Sequence, residues 1–315
     1  MRPWVLLCDL SLAPDITVAL ARLGEGIETI GRFPCINRLQ FDGHLRDFLN
    51  ANGNPPLQGA AFSARGWEQH DGLHLVGVDF TIDRAAVREL LDVQRVNFVN
   101  NFVARALAVP RLKRAEKLQV SGGEVNDHHA ITVLGPHYGL GLAALVSDGA
   151  DGWTALHGEG GHSDLPVKTE AEWRLVEAIR ARTGYVSRES VISVNGLTDI
   201  WLALHAVAGE SCERRTSSQI IASARQGDAR AREAIDYMTG WLAAMASDMA
   251  LIMGASGGVY LTGALLDMVG DLFDVNAFRQ RYLDKGPRSG YVAEIPVFRT
   301  LAPDMELKGL ATLFE

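Results

Sequence analysis

Short apolar runs alternate with helically spaced segments over the first hundred residues, and this alternation most constrains what the chain can fold into. Trp4-Val5-Leu6-Leu7-Cys8-Asp9-Leu10 is an apolar run of strand length that closes around a carboxylate, as a strand buried on both faces reads. Further strand-like runs fall at Gly59 to Ser63, His74 to Phe80 and Arg95 to Val99, while Asn37 to Asn50 and Asp83 to Leu91 have helical spacing. The pattern predicts an α/β architecture. Asn100 to Val109 begins with cap-forming residues and stops before Pro110, which predicts a strand, a polar corner and a short helix.

The basic run Arg111-Leu112-Lys113-Arg114 reads as a solvated crossing between two lobes. Strand signals resume at Ala130 to Leu134 and Leu142 to Val146. From Thr169 the chain reads as mainly helical: Thr169 and Glu172 form a capping-box pair, and Gly184 stands at the C-cap position. The longest helix is predicted over Ala229 to Met253, where Ile235, Met238, Leu242, Met245, Met249 and Ile252 recur at steps of three and four. A short strand at Val259 to Thr262 and a last one near Val292 to Phe298 return the chain to β structure.

Composition narrows the function classes. Of 315 residues, 47% are apolar and only three are cysteine, Cys8, Cys35 and Cys212, none at metal-ligand spacing. A disulfide-stapled module is excluded. The net charge of −8 repels phosphate backbones, so no nucleic-acid partner is expected. The apolar stretch Trp4 to Leu7 is too brief for a signal-peptide core or a membrane span. The expectation is a cytoplasmic protein with no membrane partner and no resident metal.

Among the 32 glycines, three glycine-rich places stand out: Gly135 to Gly141, Gly158 to His162, and Gly254 to Gly258. Each suits a phosphate or sugar loop, or a tight hairpin. The second is the more informative, because Glu159 and His162 lie within it. A carboxylate and an imidazole so placed can grip vicinal hydroxyls, although a purely structural His162 fits the same residues.

Asn100-Asn101-Phe102 ending in Pro110, then Gly139-Leu140-Gly141, Gly158-Glu159-Gly160-Gly161-His162 and Gly257-Gly258-Val259, in that order, resemble the bacterial glucokinase family. These are ATP-dependent hexose kinases of the actin-like, hexokinase/ribonuclease H-like fold. The resemblance implies two α/β lobes with a cleft between them. The smaller would hold residues 1–110 and 299–315, the larger 111–298. It also implies a homodimer and a glucose-like hexose as partner.

Position by position, the resemblance implies a sugar site of Asn100, Glu159, His162 and Glu189. The phosphate machinery departs from the family pattern. The first loop, Asp-x-Gly-Gly-Thr in the family, continues here after Asp9 as Leu10-Ser11-Leu12-Ala13-Pro14. The second, Gly-x-Gly-Thr-Gly-x-Gly, reads Gly135-Pro136-His137-Tyr138-Gly139-Leu140-Gly141. Asp9, Gly139, Gly257, Gly258 and Gly263 are what remains for Mg-ATP. At Asn101 the family carries the aspartate that acts as general base on the sugar's 6-hydroxyl. An amide cannot take that proton but can hydrogen-bond the hydroxyl.

The expected function is hexose binding with weak or no kinase activity, in a sugar-responsive regulatory role. One alternative is an active ATP-dependent glucokinase in which nearby groups such as Asp15 replace the missing ones. The other is a structural, oligomer-forming descendant that binds neither ligand.

Overall fold

The computed structural model describes residues 2–69, 71–149 and 152–315. In chain order the elements begin β1 (Trp4–Asp9), β2 (Asp15–Arg22), β3 (Gly26–Pro34), α1 (Arg38–Ala51), β4 (Leu57–Ala64), β5 (Gly66–Gln69), β6 (Gly72–Leu75), β7 (Thr81–Asp83), α2 (Arg84–Leu91), β8 (Arg95–Asn100) and α3 (Asn101–Ala108). There follow β9 (Lys117–Ser121), β10 (Ile131–Pro136), β11 (Leu140–Ser147), β12 (Trp153–His157), α4 (Glu170–Thr183), α5 (Val194–Val207), α6 (Ser217–Arg225) and α7 (Ala229–Met253). The chain ends with β13 (Gly258–Leu261), α8 (Ala264–Val269), α9 (Val275–Leu283), α10 (Ser289–Ala293), β14 (Val297–Thr300) and α11 (Met305–Thr312). These elements form two compact units, residues 1–113 with 302–315, and residues 114–301.

The first unit is built on a five-stranded sheet of order β3-β2-β1-β4-β8, with β1 antiparallel to β2 and parallel to β4. The apolar run of β1 reflects its central place. Leu6 and Cys8 face one core with Phe41 and Leu45 of α1 and Val87 of α2. Val5 and Leu7 face a second core with Ala104 of α3 and Leu307 and Leu310 of α11. Full burial of each large side chain contributes about 1.5–3 kcal/mol. Arg105 of α3 pairs with the buried Glu306 of α11 at 2.7 Å. Gly309 is required where the two helices touch, since a Cβ there would lie 1.7 Å from the Ala104 carbonyl oxygen.

The second unit is built on a six-stranded sheet of order β12-β11-β10-β13-β14-β9. Its core joins Leu134 and Leu261 of the sheet to Val176, Ile200, Met238 and Leu242 from α4, α5 and α7. Of the six residues that set the long helix's periodicity, Ile235, Met238, Leu242 and Met245 are core, Met249 packs against it and Ile252 is exposed. No helix of the described residues is long and apolar enough to cross a membrane.

Two strand expectations are corrected. His74 to Phe80 is not one strand: β6 ends at Leu75, and the chain turns through Gly77, whose φ of +100° favours glycine. Val292 belongs to α10 rather than to the last strand, which begins at Val297, after Pro296. The β2–β3 hairpin was not anticipated. Its turn passes through Gly24 and Gly26, both at positive φ.

Candidate functional site

The second unit brings Glu159, His162 and Glu189 together. Glu159 follows β12, and residues Gly160–His162 form one tight 3₁₀ turn. The turn needs its glycine at 161, where a Cβ would lie 2.4 Å from the Leu140 carbonyl oxygen. The segment carrying Glu189 docks along it through main-chain bonds, Glu189 N–H to Gly161 O at 2.8 Å and Arg188 N–H to Ser163 O at 3.0 Å. Tyr185 adds a side-chain tie, its hydroxyl lying 2.8 Å from Asp164 Oδ1 and 3.1 Å from the His162 carbonyl oxygen.

His162 Nε2 consequently lies 4.0 Å from Glu159 Oε2 and 3.8 Å from Glu189 Oε1. Both distances exceed direct hydrogen-bond reach. The three groups are held apart, so a hydroxyl entering between them can donate to a carboxylate and accept from the imidazole. Glu159 and His162 are 85% and 59% exposed, open to a ligand. Glu189 is more enclosed, and its Oε2 accepts the Leu140 N–H at 2.7 Å. Behind it, Arg188 donates to Asp248 Oδ2 of α7 at 2.8 Å, and Lys285 also contacts Asp248.

The second glycine loop is the β10–β11 hairpin. Its turn is closed by His137 N–H to Gly139 O at 2.7 Å, and Val194 N–H at the start of α5 donates to the His137 carbonyl. Gly139 has a packing reason: a Cβ there would lie 2.5 Å from Glu189 Oε2. Gly263, at φ +116°, lies against the same hairpin, its would-be Cβ 2.4 Å from the Pro136 carbonyl oxygen. Gly257 and Gly258 lie elsewhere in the same sheet. Gly257 precedes β13 and Gly258 begins it, beside Ile131 at the start of β10, whereas Gly263 follows the strand and caps α8. Their close contacts are with His129 O and the Tyr260 ring, which gives them a packing role at the far end of the sheet.

In the first unit Asp9 ends β1. Its Oδ1 accepts from Ser11 N–H at 3.1 Å and Ser63 Oγ at 2.8 Å, and its Oδ2 from Ser11 Oγ at 2.9 Å. Burial, and then the Glu306 carboxylate, push the Asp9 carboxyl up to about 7 against the opposing pull of those serine hydrogen bonds. Asn100 caps α3, its Oδ1 accepting the Phe102 N–H at 2.8 Å, and Asn101 is the first residue of that helix. Asp15 opens β2 and is exposed.

The residues do not fit the phosphates of Mg-ATP. From Leu10 to Asp15 the backbone has five N–H groups, because Pro14 has none. Four are engaged: Leu10 to Ser63 O, Ser11 to Asp9, Ala13 to Leu10 O and Asp15 to Leu12 O. In the β10–β11 turn His137 N–H is engaged by Gly139 O, and Leu140 N–H already holds a carboxylate. An anion brought to the first turn meets few donors, and at the second a like charge.

Sequence reasoning named Glu159, His162 and Glu189 but passed over Tyr185, Arg188, Asp248, Ser11 and Ser63. Arg188 carried a signal, adjacency to Glu189, and Tyr185 lies four residues before it. Asp248 lies inside a helix whose apolar period gives no hint of it.

The family model for glucokinase matches residues 16–315. A glucokinase-like protein of Caulobacter vibrioides is 36% identical over 300 residues, covering 95% of this chain and 93% of that protein. A glucokinase of Chromobacterium violaceum is 35% identical over 268 residues, covering 85% and 77%. Among solved structures, a glucokinase from an Antarctic psychrotroph superposes with a TM-score of 0.91 at 24% identity, over 99% of both chains. A glucokinase of Balamuthia mandrillaris in complex with glucose gives 0.81 at 17% identity, over 99% of this chain and 93% of that one. The fold is the mixed α/β, hexokinase-like fold of these proteins.

Proposed function

The chain belongs to the glucokinase family, and from that premise we propose that it binds a glucose-like hexose while transferring phosphate weakly or not at all. The observation that carries the sugar half is the spacing of Glu159, His162 and Glu189, with His162 Nε2 4.0 Å from Glu159 Oε2 and 3.8 Å from Glu189 Oε1. Asn100 and Asn101 are assigned to the same sugar by their family positions. With Asn100 Oδ1 engaged as a helix cap, its amide NH₂ is the group left to donate to a hydroxyl.

The engaged amides of Leu10 to Asp15 support the other half of the reading. Phosphoryl transfer depends on positioning and charge stabilisation around the phosphates. Loss of a general base at Asn101 lowers a rate by a further 10²- to 10⁴-fold, roughly. The protein then acts as a sugar-responsive regulator. A cytoplasmic homodimer completes the proposal, on the strength of the family resemblance alone.

Calorimetry with glucose and, separately, with Mg-ATP tests this. The expected result is sugar binding without nucleotide binding. Turnover above about 1 s⁻¹ in a coupled assay across several hexoses, the low end of ordinary kinase rates, overturns the weak-kinase reading in favour of an active sugar kinase. Absence of any sugar binding overturns the hexose reading.

A further inference from the structure

An aromatic pair, half-buried His137 and exposed Tyr138, stands beside the Glu159, His162 and Glu189 cluster of the second unit. His137 and Tyr138 form the tip of the β10–β11 hairpin, with ring centroids 4.9 Å apart at 61°, and Tyr138 is 58% exposed. The hairpin is fixed at three points: the His137–Gly139 turn bond, the Val194 amide on the His137 carbonyl, and Glu189 on the Leu140 amide. A Cβ on Gly139 would lie 2.5 Å from Glu189 Oε2, so the Tyr138 Cα lies within about 8 Å of that carboxylate, one Cα step of about 3.8 Å further on. A polyol gripped by Glu159, His162 and Glu189 therefore has the backbone of Tyr138, held in the fixed hairpin, nearby.

We propose that Tyr138 forms a second subsite, which stacks on the apolar face of a further sugar ring, so that the preferred ligand is a neutral disaccharide rather than a free hexose. The inference rests on the hexose reading above. A pyranose presents C–H bonds on one face and hydroxyls at its rim, and an aromatic ring with a polar tip meets both demands. The hairpin is held before the ligand arrives, so little ordering opposes binding. A hexose phosphate is disfavoured, because Glu189 already places a carboxylate on the Leu140 amide. Stacking of this kind raises affinity by about three- to tenfold.

The test is calorimetry on the full chain with glucose, glucose 6-phosphate, maltose, cellobiose, trehalose and gentiobiose, repeated with Tyr138→Ala and Tyr138→Phe. At least one disaccharide is expected to bind three- to tenfold tighter than glucose. That preference should disappear in Tyr138→Ala and survive in Tyr138→Phe. If glucose binds but no disaccharide binds tighter, if glucose 6-phosphate binds best, or if the preference survives Tyr138→Ala, the subsite is refuted and the hexose reading stands. If neither glucose nor any disaccharide binds, the hexose reading itself fails and the subsite with it.

Discussion

The Glu189 carboxylate accepts the backbone N–H of Leu140 at 2.7 Å, and this bond joins the two motifs that the sequence keeps nearly fifty residues apart. Its consequence is chemical as well as structural. One oxygen of Glu189 fixes the hairpin that carries Tyr138, while the other lies 3.8 Å from His162 Nε2. A group that we propose binds sugar hydroxyls thereby also occupies an amide on which a phosphate would depend.

Glu189→Gln and Glu189→Ala separate these duties. The glutamine keeps an acceptor for the Leu140 amide, so stability should change little, while loss of a charged hydrogen bond to a hydroxyl lowers glucose affinity by about 10- to 100-fold. The alanine should lose the same affinity and a further 1–2 kcal/mol, roughly, of folding stability, because Leu140 N–H is left unpaired. Calorimetry and urea unfolding read the two quantities. Equal stability of the two variants would show that the amide contact does not hold the hairpin.

Asp248→Asn probes the support behind the site. Asp248 is shared by Arg188 and Lys285, with all three side chains mostly buried. Removing its charge leaves two cations facing each other. A fully buried pair broken in this way loses 3–5 kcal/mol, and partial exposure reduces that to about 1–3 kcal/mol here. Arg188 precedes Glu189, so glucose affinity should fall about three- to tenfold as well. A stability loss with unaltered affinity would assign Asp248 to the fold alone.

Much of this was legible in the residues, for reasons that can be named. β1 reads as a buried strand because both of its faces are covered, by α1 and α2 on one side and by α3 and α11 on the other. The Glu159–His162 block stands out because Gly161 cannot carry a side chain against Leu140 O. The β2–β3 hairpin escaped because β3 lies at the sheet edge with alternate residues exposed, which gives only a weak pattern. Gly257 and Gly258 have close packing contacts in the fold, and a glycine required by packing and one required by a ligand look alike in sequence. Asp248 could not be found without the helix that carries it.

The raised pKa of Asp9 fixes the sign of a pH effect. An unfolded aspartate releases its proton near 3.9, whereas folded Asp9 keeps it until about 7. Between these values the folded state holds more protons, so this group's contribution to stability falls as pH rises from about 4 to 7, by at most about 1.4 kcal/mol per unit, and is flat above. Asp9→Asn keeps an acceptor for the serines and removes the titration. Urea unfolding from pH 4.5 to 8 should show the variant losing less stability than the parent across that window. Parallel curves would mean that Asp9 ionises at its ordinary value.

Asn101→Asp asks, on the weak-kinase reading proposed above, whether the residue at the base position or the engaged turn would limit chemistry. Asn101 is the first residue of α3, where a carboxylate interacts favourably with the helix dipole by about 0.3–1 kcal/mol. The variant should melt about 1–3 °C higher. Its turnover should nonetheless stay below about 1 s⁻¹, because the amides of Leu10, Ser11, Ala13 and Asp15 remain engaged. Adding Ser11→Gly, Leu12→Gly and Ala13→Thr removes the Ser11 hydroxyl from Asp9 and restores residues that let the backbone turn toward an anion. Hexose-dependent ATP consumption should then rise above that of Asn101→Asp alone. If the single substitution already gives ordinary kinase turnover, the phosphate turns were never the obstacle, and the base was the only function the chain lacked.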